Sequence, residues 1–236
     1  MNRRFLLSLT MLAGLALGGA TLSGCTTNPA TGEQSFTAFM SPSEERAVGA
    51  KEHPKLVKAF GGKYRDASLT NYLDGLGALL QSTSEQRTPP FTFTLLDSPV
   101  INAFAVPGGY VYITRGLMAL ANDEAELAGV VAHEIGHVTA RHTAERVSRG
   151  MLANLGAALL GAVIGQPMVS DAAQLAAGAY IQGYSRDQEF EADQLGVRYL
   201  TRAGFDPQAM ASFLGDMGAE HQLALKIAGK EGRDAA

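Results

Sequence analysis

His133 and His137 stand four residues apart, with Glu134 directly after the first, in the run His133-Glu134-Ile135-Gly136-His137. On an α-helix, residues four apart share a face, so both imidazoles can address one cation. Glu134 then lies beside that cation, where its carboxylate can take a proton from a metal-bound water. Two ligands and a base make an incomplete zinc hydrolase, because catalytic zinc sites use three protein ligands and keep one position open.

Two places in the chain could supply the third ligand. His142 follows His137 by five residues with no glycine between them. In a continuing helix it points about 140° away from the metal face. It reads as a polar residue near the helix end rather than as a ligand. The second place is Glu189-Phe190-Glu191-Ala192-Asp193. Glu189 and Asp193 share one helical face, and Glu191 points the other way. Two histidines and one glutamate form an established zinc shell. Asp193 would accept the free ring N–H of a ligand histidine and so set its tautomer. Alone, Asp187, Glu189, Glu191 and Asp193 would read as a solvated acidic face. The histidine pair upstream favours the ligand reading.

The two motifs together resemble the HtpX, BepA and LoiP type of zinc metalloendopeptidase, the family that includes the CAAX prenyl endopeptidase. The likeness extends to Asn102-Ala103-Phe104-Ala105-Val106-Pro107-Gly108-Gly109, to Tyr184-Ser185-Arg186 and to Ala203-Gly204-Phe205-Asp206-Pro207. It covers roughly residues 26 to 217. The resemblance implies a zincin-like fold, one Zn2+ per chain, Glu189 as third ligand and polypeptide substrates. It also implies further chain with a His-Pro segment near the metal, whereas here His221 is followed by Gln222 and the sequence stops at Ala236.

The elements that must position these residues are legible in outline. Ser41-Pro42-Ser43-Glu44 is a capping box with proline at the first helical position. The helix it starts should kink or end at Pro54. A second helix is expected from Ser68 to Gln81, with Leu69, Tyr72, Leu73, Leu76, Leu79 and Leu80 on one stripe. Residues 91–95, 101–106 and 110–114 read as three strands around the Pro107-Gly108-Gly109 turn. Asp123 and Glu126 should cap the metal-site helix, which is expected to run to about Arg149. Gly129 and Gly136 lower its helix propensity but let a neighbour come close. The fold class expected is a helix-rich α+β domain with a small three-stranded sheet beside the metal helix. Asn102, Ala103, Phe104 and Ala105 are expected on the sheet edge, where unpaired backbone groups could hold an extended peptide. Residues 151–183 are apolar and rich in Ala and Gly, and are expected to form buried or lid-forming helices.

The N-terminus reads as a targeting segment. Asn2-Arg3-Arg4 is a short basic region, followed by an apolar run from Phe5 to Ala20. Leu22-Ser23-Gly24-Cys25 resembles a bacterial lipobox, with lipid attached to Cys25, the single cysteine. The expected division is a signal peptide over 1–24, a lipid-anchored tether over 25–40 and a metallopeptidase domain over 41–236. Thr26 after the cysteine favours the outer membrane, facing the periplasm. About 210 residues then remain, enough for one core. The formal net charge is −4, with no basic cluster, which argues against nucleic acid as a partner.

The chemistry expected is peptide hydrolysis on unfolded or misassembled envelope proteins, with Glu134 as general base and proton carrier to the leaving amine. Arg186 and His142 are candidates for oxyanion stabilisation or for structural contacts. The alternative function is a zinc-containing assembly factor for outer-membrane proteins that seldom cuts.

Overall fold

The computed structural model describes residues 25–164 and 183–227. The signal peptide, the stretch 165–182 and the last nine residues expected above lie outside the described residues. The elements follow in the order β1 (Cys25–Thr27), β2 (Gln34–Phe36), α1 (Pro42–Ala59), α2 (Ala67–Thr83), β3 (Thr92–Leu96), β4 (Ala103–Val106) and β5 (Tyr110–Thr114). Five helices complete the order: α3 (Arg115–Leu120), α4 (Glu124–Thr139), α5 (His142–Ile164), α6 (Arg186–Arg202) and α7 (Gln208–Ile227). This is the expected α+β arrangement, dominated by helix.

The sheet order is β3-β5-β4, with β3 parallel and β4 antiparallel to β5. β4 is therefore an edge strand. One face of the sheet joins the main core, where Leu95, Val111 and Ile113 meet Leu73, Leu76 and Leu80 of α2 and Val131 and Ile135 of α4. Each large apolar side chain fully buried there contributes about 1.5–3 kcal/mol. On the other face Leu96, Val106 and Tyr112 are covered by Leu56, Val57 and Phe60 of α1 and its C-cap.

Several boundaries differ from expectation for identifiable reasons. The Ser41 capping box forms as expected, and of the two outcomes expected at Pro54 the helix end is excluded, because α1 continues through it to Ala59. The missing ladder bond is outweighed by the packing of Leu56, Val57 and Phe60 beyond it. On α2 only part of the expected stripe is inside: Leu73, Leu76 and Leu80 are buried, whereas Leu69, Tyr72 and Leu79 are exposed. At α4 the Asp123 side chain accepts from the Glu126 amide, but Glu126 turns to the Asn122 amide and to Ser212 of α7 instead of closing a capping box.

The largest difference lies just after His137. The helix expected to reach Arg149 breaks at Ala140 and Arg141, and α5 begins at His142. Arg141 adopts φ 59°, a left-handed conformation uncommon for a residue with a side chain. Its guanidinium pins the break: Nε donates to Glu45, Nη1 to Thr26 and Nη2 to the Met40 carbonyl. Residues 25–40, expected as a tether, are a two-stranded hairpin packed on this junction, with Asn28, Thr37 and Met40 buried. Among the described residues, no helix is long and apolar enough to cross a membrane.

Candidate metal centre

The centre is assembled where α4 crosses α6, and two glycines set the closeness of that crossing. A Cβ on Gly136 would stand 2.9 Å from the Ala192 carbonyl oxygen, and one on Gly196 would stand 3.1 Å from the His133 nitrogen. Hydrogen at both positions lets the backbones meet at this distance without displacing either helix. The Ser185 capping box starts α6 and puts Glu189 in its first turn, facing the two histidines.

The ligand atoms of His133, His137 and Glu189 lie within 4.8 Å of one another. The two Nε2 atoms are 3.0 Å apart. Glu189 Oε2 is 3.4 Å from the first and 3.8 Å from the second. A tetrahedral zinc with bonds of about 2.0–2.1 Å needs its ligand atoms about 3.3 Å apart. Two nitrogens and one oxygen at these separations therefore fit three corners of such a site, leaving the fourth open.

The outer contacts prepare both rings for this role. His133 Nδ1 donates to Asp193 Oδ1 at 2.9 Å, which leaves the Nε2 lone pair facing the centre. His137 Nδ1 lies 2.8 Å from His142 Nδ1. The break at Arg141 swings His142 back beneath His137 instead of 140° away. His142 is buried, outside the three-donor cluster, and its Nε2 meets Glu191 Oε2 at 3.1 Å. Glu191, set aside because it points away from Glu189, thus joins the site from the far side through His142.

The electrostatics describe a pocket built around a positive charge. Burial opposes charging His133, but hydrogen bonds to Asp193 and Glu189 prevail and hold its pKa up at about 10. Burial pushes His137 down to about 4 and also lowers His142. Hydrogen bonds from His133 and His137 keep Glu189 well below the usual carboxylate range.

Glu134 is buried, and burial pushes its pKa up to about 7. The backbone N–H of Ala105 on β4 faces the carboxylate and partly offsets that rise, while Oε2 is buried without a partner. A buried carboxylate oxygen left unpaired costs stability, which marks it as a group reserved for another partner. The cleft beside it holds about 260 Å³. It is lined by Asn102, Ala103, Val130, Met210 and Met217 together with His133, Glu134 and Glu189. A more open hollow of about 550 Å³ beside Glu85 and Arg202 contains none of the metal donors, so volume alone does not locate the chemistry.

The remaining expected residues divide. β4 forms the sheet edge and places Ala103 in the cleft wall, with Asn102 just before the strand. Arg186 is exposed in the first turn of α6 and makes no ion pair among the described residues. Cys25 is exposed with a free thiol. Tyr184 was missed as a site residue. Its ring stacks on His137 at 3.7 Å between centroids, and the Arg146 guanidinium lies 4.0 Å over it. Its place within the Tyr184-Ser185-Arg186 motif was the available signal. Asn28, which reaches Glu191 at 2.7 Å, carried none, since a residue in a turn does not announce where the turn docks.

A helix-borne His-Glu-x-x-His completed by a carboxylate from a second helix, within an α+β domain, defines a metallopeptidase-type centre. Peptidase family M48 matches residues 67–227, and the chain belongs to that family. It is 39% identical over 170 residues to a putative beta-barrel assembly-enhancing protease of Vibrio cholerae, covering 68% of this chain and 35% of that protein. The beta-barrel assembly-enhancing protease of Yersinia pestis is 34% identical over 222 residues, covering 87% and 46% respectively. The mitochondrial metalloendopeptidase OMA1 of Arabidopsis thaliana is 34% identical over 130 residues, covering 53% and 26%. The chain thus spans from about a quarter to just under half of the length of these relatives.

Proposed function

We propose that the protein is a zinc-dependent endopeptidase that cuts extended segments of unfolded or misassembled envelope proteins. The observation that carries this reading is the buried, unpaired Oε2 of Glu134 beside a three-donor cluster and an open cleft. A zinc ion held by His133, His137 and Glu189 would lower the pKa of a water molecule and polarise the scissile carbonyl. Glu134 accepts the proton of the attacking water on its free oxygen and delivers it to the leaving amine. Asp193 keeps the His133 ring in one tautomer and orientation throughout.

β4 supplies the means of holding substrate. The Thr114 amide donates to the Asn102 carbonyl and the Asn102 N–H donates to Thr114 Oγ1, so 102, 104 and 106 face β5, and 103 and 105 turn their backbone groups outward. The Ala105 N–H faces Glu134. The Ala103 N–H and carbonyl, in the cleft wall, are left for a peptide laid along the edge, which places its backbone next to the general base. Such pairing reads no side chains, and the apolar walls of the cleft add a preference for an apolar residue beside the scissile bond. The lipobox-like run ending at Cys25 supports a lipid anchor, and the beta-barrel assembly in the names of the bacterial relatives supports a place at the outer membrane, facing the periplasm.

The relatives' name also favours a second reading, an assembly factor that seldom cuts. Glu134→Gln separates the two. The variant retains stoichiometric zinc and loses cleavage of an unfolded polypeptide by at least about a hundredfold. Assembly function that persists in this variant would favour the factor; cleavage that persists would remove Glu134 from the mechanism.

A further inference from the structure

The hairpin next to Cys25 reaches the metal centre through one continuous line of polar contacts. Asn28 Nδ2 donates to Glu191 Oε1 at 2.7 Å, Glu191 Oε2 meets His142 Nε2 at 3.1 Å, and His142 Nδ1 meets His137 Nδ1 at 2.8 Å. If His137 binds the metal through Nε2, as the proposed function requires, its proton sits on Nδ1. His142 must then accept at Nδ1 and donate from Nε2, and Glu191 must accept at both oxygens. Each link has one donor and one acceptor, so the chain admits a single protonation pattern.

Asn28 closes that chain, and its own orientation is determined. Its Oδ1 accepts the Ala30 N–H at 2.9 Å, which assigns Nδ2 to Glu191. The side chain is buried, and the backbone is tied by Asn28 N–H to the Glu33 carbonyl and by Gly32 N–H to the Asn28 carbonyl. Arg198 holds the Ala30 carbonyl, and Arg141 ties Thr26 to the α4–α5 junction. The hairpin is therefore fixed on both sides of the line that it terminates.

We propose that Asn28 is a positioning residue for the metal ligand His137, acting through Glu191 and His142, so that the segment beside Cys25 sets how tightly the site holds its metal. The test is the zinc dissociation constant of the full chain, purified in detergent and measured by competition with a chromophoric chelator. Asn28→Asp keeps the acceptor for the Ala30 N–H but sets one carboxylate against another. Glu191→Gln keeps an acceptor for His142 but sets one amide donor against another. Each weakens zinc binding by about tenfold. The double variant restores a donor to an acceptor with the two groups exchanged, and recovers most of the affinity. Arg115→Ala, which breaks an exposed ion pair with Asp97 and touches neither the hairpin nor the line, leaves zinc affinity at the wild-type value. Wild-type affinity in both single variants, or no recovery in the exchange, overturns the inference. A wild-type chain that binds no zinc overturns the proposed function and the inference together.

Discussion

At the residue scale, Glu134 holds the conflict between stability and chemistry most openly. Its pKa rises from 4.5 to about 7 because burial disfavours the carboxylate. A raised pKa means that the stability this group contributes is complete below pH 4.5 and is lost as pH climbs through about 7. Glu134→Gln removes that dependence. In the metal-free protein the variant should match the wild type near pH 4.5 and exceed it above pH 7 by roughly 3 kcal/mol at most. Thermal denaturation in chelator at the two pH values measures this, and a variant no more stable at pH 8 would show that the carboxylate is not strained by its surroundings. The meeting of His133 and His137 on one helical face, with Glu134 beside them, was legible in the sequence because local spacing fixes it. The role of His142 was not, because it depends on Arg141 taking a left-handed conformation, which side-chain contacts from Thr26, Met40 and Glu45 enforce from elsewhere in the chain.

At the element scale, the site depends on how closely α4 and α6 approach and on what β4 leaves unpaired. A methyl group on Gly196 meets the backbone of His133, and such overpacking costs about 1–3 kcal/mol. Gly196→Ala should lower the melting temperature and weaken zinc binding together. Gly215→Ala on α7, where a Cβ meets nothing within 4 Å, should leave zinc binding unchanged. Equal behaviour of the two variants would contradict the close-approach argument. On β4, Ala103→Pro removes one outward N–H while sparing the ladder to β5, which edge strands tolerate. It should raise KM for an unfolded polypeptide severalfold, about the value of one hydrogen bond, with zinc content unchanged. An unaltered KM would remove the edge strand from substrate binding. The close approach at Gly136 was readable from a glycine inside a helical pattern. The passage of α1 through Pro54 was not, because packing against the far face of the sheet decides it.

At the scale of the whole molecule, the sequence conveyed the α+β class, the three-strand sheet and the pairing of the two metal motifs, each of which has a local periodicity or spacing. It did not convey the docking of residues 25–40. The turn residues Asn28-Pro29-Ala30-Thr31-Gly32 mark a hairpin but say nothing of Arg141, Arg198 or Glu191, more than a hundred residues away. The domain therefore joins its N-terminal hairpin, its sheet edge and two crossing helices around one small volume, and the proposed function requires a metal acting there. The most direct test is cleavage of an unfolded outer-membrane polypeptide by the purified full chain, followed before chelation, after chelation and after zinc is returned. Cleavage that disappears with chelator and returns with zinc is the predicted result; cleavage that continues undiminished in chelator would contradict it.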